Sequence, residues 1–534
     1  MTAAALDLSL APLVGAALLA VAVLHYLHYA RGRIHLPGPV PWPVFGSLLQ
    51  LGEDHAQTYL AWSRKYGPVF KVRLGEREVV VVNTAAASKE LFNDQGSTYI
   101  SRPLFNAFHK VVSSTAGFTI GTSPWDDSCK RKRKAAATAL NRPAVQSYVP
   151  IIDRETLSLV EDVCKDGEDG SQSIDPYAYF QRYALNVSLV VNYGSRLDQV
   201  GDSLLKEIVE VETQVANFRS VSGQMSDYVP LLRHLPWNAA GTASAGASTR
   251  VRRDKYMKLL LDDLKARIAK KTDIACICGN ILKDPEAKIN DAELSSINLS
   301  MVSAGLDTLA NTFVWSVGYL AKHPEIQEKA LAAINDVYHG GIPDSLTEDV
   351  PYITALHKEC SRFFSVLKLS LPRATLGDST YRGVHIPDNT TVFLNAWAIH
   401  HDEARYNDVD VFRPERFLDA KEQSVQSHYS FGAGRRMCAG VFLAERELYI
   451  AFSKLIYFFR ILPGEEDYDI DPATACANPR GLSSAPKPFK VRFEPRNLSS
   501  IRSFLEEEKT KAEHAMAAGI GAGSTAVEKE AAAA

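Results

Sequence analysis

The pattern of apolar and polar positions begins with a long segment that carries no charge. No Asp, Glu, Lys or Arg occurs from Leu8 to Ala30, whereas Arg31 and Arg33 follow directly. As a helix rising about 1.5 Å per residue, this segment would reach roughly 34 Å and cross the apolar interior of a bilayer. Because cationic flanks stay on the cytosolic side, the rest of the chain would be cytosolic. The pattern predicts residues 1–30 as a single-pass membrane anchor. The alternative, a cleaved signal peptide, lacks its usual basic start.

Prolines interrupt the pattern directly after this segment. Four of them lie within the seven positions 37–43, where they forbid a helix and stiffen the backbone. We predict a hinge over residues 31–43. Strand-like apolar runs follow at Val69–Leu74 and Glu78–Val82, separated by a short turn with a glycine. A small sheet is therefore expected at the start of the globular part.

Helical periodicity dominates the remainder of the chain. Segments in which apolar residues recur at intervals of three and four lie near residues 150–165, 175–195, 202–220, 250–270 and 290–340. Strand-like runs return near residues 379–386 and 390–394. The pattern predicts a mainly α fold with a minor β side. The final stretch, residues 498–534, is polar and of low complexity, and we predict that it is disordered.

Composition limits the classes of function. With 46% hydrophobic and 23% charged residues, the 534-residue chain has the make-up of a globular protein. Its net charge of −3 argues against a nucleic-acid partner. The seven cysteines are odd in number and scattered, which is unlike a disulfide framework and indicates a reducing compartment.

One of these cysteines lies in a glycine-rich stretch, Phe431–Gly440, with the sequence FGAGRRMCAG. Gly432, Gly434 and Gly440 permit left-handed backbone conformations and a close approach of the chain to a bulky group. Cys438 follows two arginines and precedes a segment with helical periodicity. A cysteine thiolate near cations is one of the few side chains that ligate haem iron. This stretch therefore predicts a haem site.

A second group of chemically active residues lies within a long predicted helix. The helix would begin after Asn290, with Glu293 as the capping-box partner, and extend to Lys322. Its middle, Ala304–Thr308, combines two small residues with an acid beside a hydroxyl. Small residues let a flat ligand lie against the backbone, and the acid and hydroxyl offer a proton relay. The alternative is a solvated turn, or a threonine bonded back to its own helix.

A third pattern pairs an acid with a base. Glu359 and Arg362 lie three positions apart, so they meet on one face of a helix. Arg416, in the later sequence PERF, could complete a charge network with them. The alternative is an exposed pair, which contributes only about 0.5 kcal/mol. A structural role therefore requires burial and further partners.

These motifs together resemble those of cytochrome P450 monooxygenases, and the resemblance covers roughly residues 30–497. The family patterns AGxDT, ExxR and FxxGxRxCxG occur in the family's order. They are filled, respectively, by Ala304–Thr308, by Glu359 and Arg362, and by Phe431, Gly434, Arg436, Cys438 and Gly440. The resemblance implies one cytochrome P450 haem domain over residues 44–497, mainly α with a minor β side.

The resemblance also implies roles for the matching residues. Cys438 would bind the iron of haem b as its axial thiolate. Asp307 and Thr308 would relay protons for oxygen activation. The other expected haem contacts are Phe431, Gly434, Arg436, Trp125 and Arg373. Among them, Arg436, Trp125 and Arg373 would bind the propionates, and guanidinium groups suit these carboxylates well.

The same resemblance implies structural residues, co-substrates and partners. Glu359, Arg362 and Arg416 would form a network that holds the segment leading to the cysteine loop. The protein would use O2 and receive electrons from a separate NADPH–cytochrome P450 reductase at the endoplasmic reticulum membrane. The stretch after residue 497 is too short and too polar to fold as a flavin or nicotinamide domain.

One position departs from the family pattern. The family usually has a basic residue four positions after Trp125, where this chain has Cys129. The propionate contact would then be missing, or would come from Lys130 or Arg133. The basic run at residues 130–134 is either a solvated helix face or a docking surface for an acidic electron donor.

Segments outside the haem motifs resemble fungal phenylacetate hydroxylases of this family. They lie within residues 100–125, 136–148, 175–181, 279–288 and 486–490. Such enzymes hydroxylate phenylacetate at the ring 2-position, or 3-hydroxyphenylacetate at the 6-position, towards homogentisate. We expect the first reaction and keep the second as an alternative. Further alternatives are a secondary-metabolite hydroxylase on the same scaffold and a non-catalytic haem sensor, which has no need of a proton relay.

An arylacetate substrate would bring a carboxylate into an apolar cavity, where an unpaired charge is costly. A cation or a cluster of amides must therefore meet it. Arg102, in a Ser-Arg-Pro sequence, and Lys368, after the ExxR helix, are the predicted partners. The alternatives are His109, Lys110 and Arg219. We expect Arg102 to make the contact.

Overall fold

The computed structural model describes residues 31–115, 117–220, 225–234, 236–418 and 428–517, together with scattered helical positions between 16 and 29. Much of the predicted membrane anchor therefore lies outside the described residues, as does the end of the predicted tail. Within the described part of the chain, no helix is both long enough and apolar enough to cross a membrane.

Helices make up most of the described chain, which confirms the mainly α prediction. Those of seven or more residues, in chain order, are α1 (His55–Tyr66), α2 (Asp127–Ala139), α3 (Arg142–Asp166), α4 (Tyr177–Tyr193), α5 (Ser203–Arg219), α6 (Pro236–Lys270), α7 (Ile277–Lys283), α8 (Asp291–Lys322), α9 (Pro324–Tyr338), α10 (Pro351–Phe364), α11 (Val441–Phe458) and α12 (Leu498–Ala517). Shorter α-helical turns occur at Ala85–Ser88, Met225–Tyr228 and Ala396–His400.

In the part of the chain that the structure describes, three small sheets form the β side. The strands are β1 (Val69–Leu74), β2 (Arg77–Val82), β3 (Arg373–Ala374), β4 (Ser379–Tyr381), β5 (Val384–Ile386), β6 (Thr391–Leu394), β7 (Phe459–Pro463) and β8 (Val491–Pro495). The largest sheet has the order β1-β2-β6-β3, in which only β2 and β6 are parallel. β4 pairs with β5, and β7 with β8, both antiparallel. The predicted early strand pair and the later strands are confirmed.

The β2 strand shows why this sheet is part of the core. Its four valines, Val79–Val82, are all fully buried. Continuous burial of this kind is expected where both faces of a strand are covered. β2 pairs in register with β6, Val79 lying opposite Thr391, so an early and a late part of the chain meet here.

Helix α8 runs through the core and carries the predicted acid and hydroxyl. Its start is a capping box: Asn290 Oδ1 accepts from the Glu293 N–H at 2.9 Å, and Glu293 accepts from the Asn290 N–H at 3.3 Å. The predicted cap and helix are therefore confirmed. Further along, Phe313 stacks on Phe180 of α4 with ring centroids 4.9 Å apart. Packing of this kind holds the middle of α8 in place against its neighbours.

The predicted disorder over residues 498–534 is wrong for residues 498–517, which form α12. Ile501 is only 1% exposed, and the Phe504 ring packs on Phe458 of α11 with centroids 5.4 Å apart. The apolar side chains recur at helical spacing and find a partner in α11. Low overall hydrophobicity concealed this narrow apolar stripe.

The proline-rich segment predicted as a hinge, residues 31–43, is packed against the sheet. Ile34 and Leu36 are 1% and 6% exposed. The Pro37 carbonyl oxygen accepts a hydrogen bond from the Lys71 N–H of β1 at 2.8 Å. The segment therefore belongs to the folded body in this region, because its extended backbone suits pairing with a strand.

Candidate active site

The predicted cysteine loop makes a tight turn before α11. Gly434 has φ +55°, and a Cβ there would lie 1.9 Å from the carbonyl oxygen of Phe92, so only glycine fits. The Cys438 N–H donates to the Phe431 carbonyl at 3.0 Å and closes the turn. Gly440 was also expected to permit a left-handed conformation, but its φ is −92°. Its N–H instead interacts with the Cys438 sulfur.

Cys438 differs from the other six cysteines because it is accessible while they are buried. Desolvation by the surrounding protein nevertheless raises the pKa of the Cys438 thiol. The Gly440 N–H and the cation of Arg133 act in the opposite direction and lower that pKa. The cation with this effect therefore comes from α2, not from the two arginines next to Cys438 in sequence.

Close to this loop lies an arginine cluster formed by Arg102, Arg373 and Arg436, which are 8%, 3% and 4% exposed. Burial lowers the pKa of Arg373 to about 9, with Arg436 and Arg133 adding to the effect. Burial also lowers the pKa of Arg436 to about 10. The Nε atoms of Arg102 and Arg436 have no hydrogen-bond partner among the described residues. Buried cations with available donors form a site for carboxylates.

The structure distinguishes between the two cations considered as replacements for the basic residue missing at position 129. Lys130 is exposed and forms an ion pair with Asp127 at 2.8 Å. Arg133 is partly buried, and its Nη2 donates to the carbonyls of Arg435 and Met437 at 3.4 Å. Arg133 therefore lies beside the arginine cluster and the cysteine loop, whereas Lys130 is held at the surface.

On α8, the predicted hydroxyl and the two small residues have different surroundings. Thr308 Oγ1 donates to the Ala304 carbonyl at 2.8 Å, the back-bonded geometry considered above, and its oxygen can still accept a hydrogen bond. Ala304 is exposed in the middle of the helix. Gly305 was expected to face a ligand, but a Cβ there would lie 2.1 Å from Ser188 Oγ of α4. Its small size therefore serves helix packing.

Asp307 belongs to a polar group that no motif predicts. Burial and, to a smaller extent, the negative charge of Glu212 raise the pKa of Asp307 to about 7, against the opposing effect of Arg219. Glu212 of α5 is 2% exposed and accepts hydrogen bonds from the hydroxyls of Tyr256 and Ser303. Near neutral pH, Asp307 can therefore hold or release a proton. The helices that supply Glu212 and Tyr256 show only ordinary helical spacing, so no sequence signal pointed to these residues.

Glu359, Arg362 and Arg416 form a fully buried network. Glu359 accepts hydrogen bonds from Nε and Nη2 of Arg362, both at 2.8 Å, and its Oε2 lies 3.0 Å from Nε of Arg416. The two guanidinium groups also donate to backbone carbonyls of the segment before the cysteine loop, among them those of His400, Asn407, Val409 and Val411. The alternative of an exposed pair therefore does not apply.

The two cations predicted to meet a substrate carboxylate have other partners. Arg102 Nη1 donates to the carbonyls of Leu371 and Pro372, the latter at 2.7 Å. It belongs to the arginine cluster, on the side of the expected haem propionates. Lys368 forms an ion pair with Asp54 at 2.6 Å. The contacts therefore do not favour either residue as the substrate's partner.

The remaining candidates differ in their surroundings. The His109 Nδ1 lies 2.9 Å from the Phe105 backbone nitrogen, and burial lowers the pKa of this histidine. A neutral ring at pH 7 is therefore expected. Lys110 is exposed. Arg219, at the end of α5, lies over the ring of Phe108 and close enough to Asp307 for their charges to interact.

The residues present fit a haem with a thiolate ligand. Cys438 is accessible, Arg102 and Arg436 offer Nε donors for carboxylates, and the small side chain of Ala304 is exposed on α8. Trp125 lies next to the cluster, because its backbone N–H donates to the Oγ of Ser101, the neighbour of Arg102, at 3.1 Å. The fold and the site therefore place this protein in the class of haem-thiolate proteins that carry an acid and a hydroxyl on the central helix.

Comparison with known proteins agrees with this class. The cytochrome P450 family profile matches residues 36–493, and the chain belongs to that family. Its particular relatives include phenylacetate 2-hydroxylase of Emericella nidulans, which is 49% identical over 93% of this chain and 98% of the relative.

Two further relatives are similar over most of their length. The cytochrome P450 monooxygenase CYP3 of Mycosarcoma maydis is 50% identical over 89% of each chain. The 3-hydroxyphenylacetate 6-hydroxylase of E. nidulans is 43% identical over 89% of this chain and 92% of the relative. The predicted resemblance to cytochrome P450 monooxygenases, and to phenylacetate hydroxylases among them, is therefore confirmed.

Proposed function

We propose that this protein is a monooxygenase that hydroxylates the aromatic ring of phenylacetate at the 2-position, towards homogentisate. The observation that carries the proposal is the 49% identity to phenylacetate 2-hydroxylase over 98% of that relative, together with the haem-thiolate site. In the balanced reaction, phenylacetate, O2, NADPH and a proton give 2-hydroxyphenylacetate, water and NADP⁺. One oxygen atom enters the ring, and the other leaves as water.

The residues of this chain have distinct tasks in that reaction. A bound haem would supply the redox chemistry that activates dioxygen, and a thiolate ligand would favour cleavage of the O–O bond. Cys438 would supply the thiolate, and Arg102, Arg373 and Arg436 would neutralise the propionates. Asp307, whose pKa is about 7, passes protons inward from the polar group around Glu212.

Thr308 completes the proton path. Its oxygen can accept a hydrogen bond while its proton is donated to the Ala304 carbonyl at 2.8 Å. Rotation about the Cβ–Oγ bond would turn this proton away from the backbone, so the hydroxyl could accept a hydrogen bond from one group and donate to another. Such a hydroxyl conducts protons without itself becoming charged.

The electron donor is proposed to be a separate NADPH–cytochrome P450 reductase. Lys130, Lys134 and Arg435 are exposed, and the bonds from Arg133 to the cysteine loop bring their segments together. Positive charge on this side complements an acidic partner and speeds encounter. Not all of the basic run is available, because Lys132 is buried and donates to the Phe118 carbonyl.

We also propose a single-pass anchor in the endoplasmic reticulum membrane, with the haem domain in the cytosol. The uncharged segment before Arg31 supports this proposal. At the described positions of that segment, Leu19 and Leu24 are 67% and 66% exposed. Val40 and Trp42 are also exposed apolar residues in the segment that follows. Exposed apolar side chains of this density are typical of a membrane-facing surface.

A second candidate function is 6-hydroxylation of 3-hydroxyphenylacetate, supported by the 43% identical relative of that name. Both substrates present a small aromatic ring and a carboxylate, so the same polar anchor serves either. A hydroxylase for a bulky secondary metabolite retains the haem site but needs a larger cavity. A non-catalytic haem sensor would not need the acid and the hydroxyl on α8, because it does not relay protons.

The test is reconstitution of the purified full chain with NADPH–cytochrome P450 reductase. Phenylacetate and 3-hydroxyphenylacetate are each supplied, and products are identified by liquid chromatography and mass spectrometry. We expect 2-hydroxyphenylacetate from the first substrate with the higher kcat/KM. A higher kcat/KM for 3-hydroxyphenylacetate would favour the second candidate. The absence of product and of any spectral shift with both acids would contradict the proposal.

A further inference from the structure

A cavity lies against the end of α5. Its lining includes Arg219 and Ser220 from α5, Val366 and Leu369 from the segment after α10, and Leu482 from the segment before β8. Apolar side chains such as Val366, Leu369 and Leu482 form part of the lining, so a charged group that packs against them loses solvation. A carboxylate will stay there only if a cation meets it.

Among the described residues, Arg219, Lys368 and Arg480 are the arginines and lysines that line this cavity, and they lie at different places along it. Lys368 forms an ion pair with Asp54 at 2.6 Å, and Arg480 forms one with Glu53 at 2.7 Å. Arg480 is also exposed, so its charge is screened by water. Arg219 lies at the other side of the lining, at the junction between the cavity and the polar group on α8.

The surroundings of Arg219 suit recognition of an anion. Its guanidinium carbon lies 4.6 Å from the centroid of the Phe108 ring, which fixes the plane of the group. Burial lowers the pKa of Arg219, while Glu212 and Asp307 raise it. A desolvated guanidinium forms stronger hydrogen bonds than one in water and can hold a carboxylate through two of them.

The two acids beside Arg219, Glu212 and Asp307, leave it able to bind a third carboxylate, that of the substrate. Glu212 already accepts hydrogen bonds from the hydroxyls of Tyr256 and Ser303. The pKa of Asp307 is raised to about 7, so this group takes up a proton readily when further negative charge approaches. Arg219 can then turn to the incoming anion without leaving a deprotonated acid unpaired.

We propose that Arg219 binds the carboxylate of the arylacetate substrate and selects for an anionic head group. This assignment rests on the proposed function and replaces the expectation for Arg102. Because Asp307 and the substrate share one cation, binding of the substrate also favours the protonated form of Asp307. The proton donor is then loaded when substrate is present.

The experiment compares the affinities of phenylacetate and phenylacetamide, its neutral analogue of the same shape. Each is titrated into the haem-loaded full chain and followed by the spin-state shift of the Soret band and by calorimetry. Arg219→Gln is expected to weaken phenylacetate binding about 10- to 100-fold, the effect of losing charge-assisted hydrogen bonds. Phenylacetamide affinity is expected to change less than about threefold. Arg219→Lys, which keeps the charge but loses the planar fork, is expected to lie in between.

Lys206→Gln is the matched control, because it removes one cation from the exposed face of the same helix. It should leave both affinities unchanged. Equal losses for acid and amide in Arg219→Gln, or an unchanged acid affinity, would overturn the assignment. If Arg219→Gln does not incorporate haem, the same comparison is made in Arg219→Lys. A greater loss of affinity for phenylacetate than for phenylacetamide then supports the assignment, and equal losses overturn it. A wild-type protein that binds neither ligand would instead contradict the proposed function.

Discussion

Replacing Glu359 by Gln tests the buried charge network most directly. The carboxylate accepts from Arg362 Nε, Arg362 Nη2 and Arg416 Nε, and also from the Arg413 N–H at 2.8 Å. Glutamine has nearly the same shape but only one acceptor oxygen, and its NH2 group would face the guanidinium donors. Both arginines would then remain buried with no negative charge between them.

The magnitude follows from the bonds that are lost. Two charge-assisted hydrogen bonds, at about 1.5–3 kcal/mol each, amount to a loss of about 3–6 kcal/mol. Breaking a buried ion pair by removing one partner costs a similar amount, about 3–5 kcal/mol. Because globular proteins are typically stable by only about 5–15 kcal/mol, we expect Glu359→Gln to be close to unfolding.

Urea unfolding of the purified full chain, followed by circular dichroism, measures this change. Glu415→Gln is the matched control, since Glu415 forms an ion pair with Lys329 at 2.6 Å on the surface, where both side chains are at least a third exposed. Its loss should be about 1 kcal/mol or less. If the two variants lost the same free energy of unfolding, the reasoning about the network would be refuted.

The remaining predictions concern the active site and its electron donor. Cys438→Ala should abolish the carbon monoxide difference band of a thiolate-ligated haem; a retained band would exclude this ligand. Thr308→Ala should lower product formed per NADPH by at least about tenfold, because a positioned proton donor contributes about 10²–10⁴ in rate. The pKa of Asp307 is raised to about 7, so its donor proton is present below that pH and lost above it. Product formation should therefore fall as pH rises through about 7, and Asp307→Asn should remove this dependence. Lys134→Glu with Arg435→Glu should raise the reductase concentration needed for half-maximal rate, and high salt should diminish that difference.

Local motifs were the most predictable part of the site. The capping residues of α8, the cysteine loop and the spacing of Glu359 and Arg362 each involve residues only a few positions apart. At such short range, backbone geometry alone decides which side chains can meet. The mainly α character followed from apolar spacing for the same reason. The error over α12 shows the limit, because its apolar stripe has meaning only against α11.

Contacts between residues that are far apart in the sequence could not be predicted from the sequence in the same way. The sequence allowed Arg102 and Lys368 as substrate contacts because Arg102 lies in the Ser-Arg-Pro sequence and Lys368 follows the ExxR helix. Tertiary structure places Arg102 with other arginines and pairs Lys368 with Asp54. Likewise, the small size of Gly305 indicated a ligand, but its nearest neighbour is Ser188 of α4. In each case the sequence showed the charge or size of the side chain, but not the residue that it contacts.

By itself, the sequence determined the chemistry of this protein: a thiolate ligand, an acid beside a hydroxyl, and a network of one acid with two arginines. Those assignments depend on residue type and short spacing, which the chain carries without folding. Only the tertiary structure decided how each charge is used. Glu212 raises the pKa of Asp307, and Arg219 lies between that acid and a cavity. Electrostatic effects depend on distance and burial, and both are set when separate helices pack together.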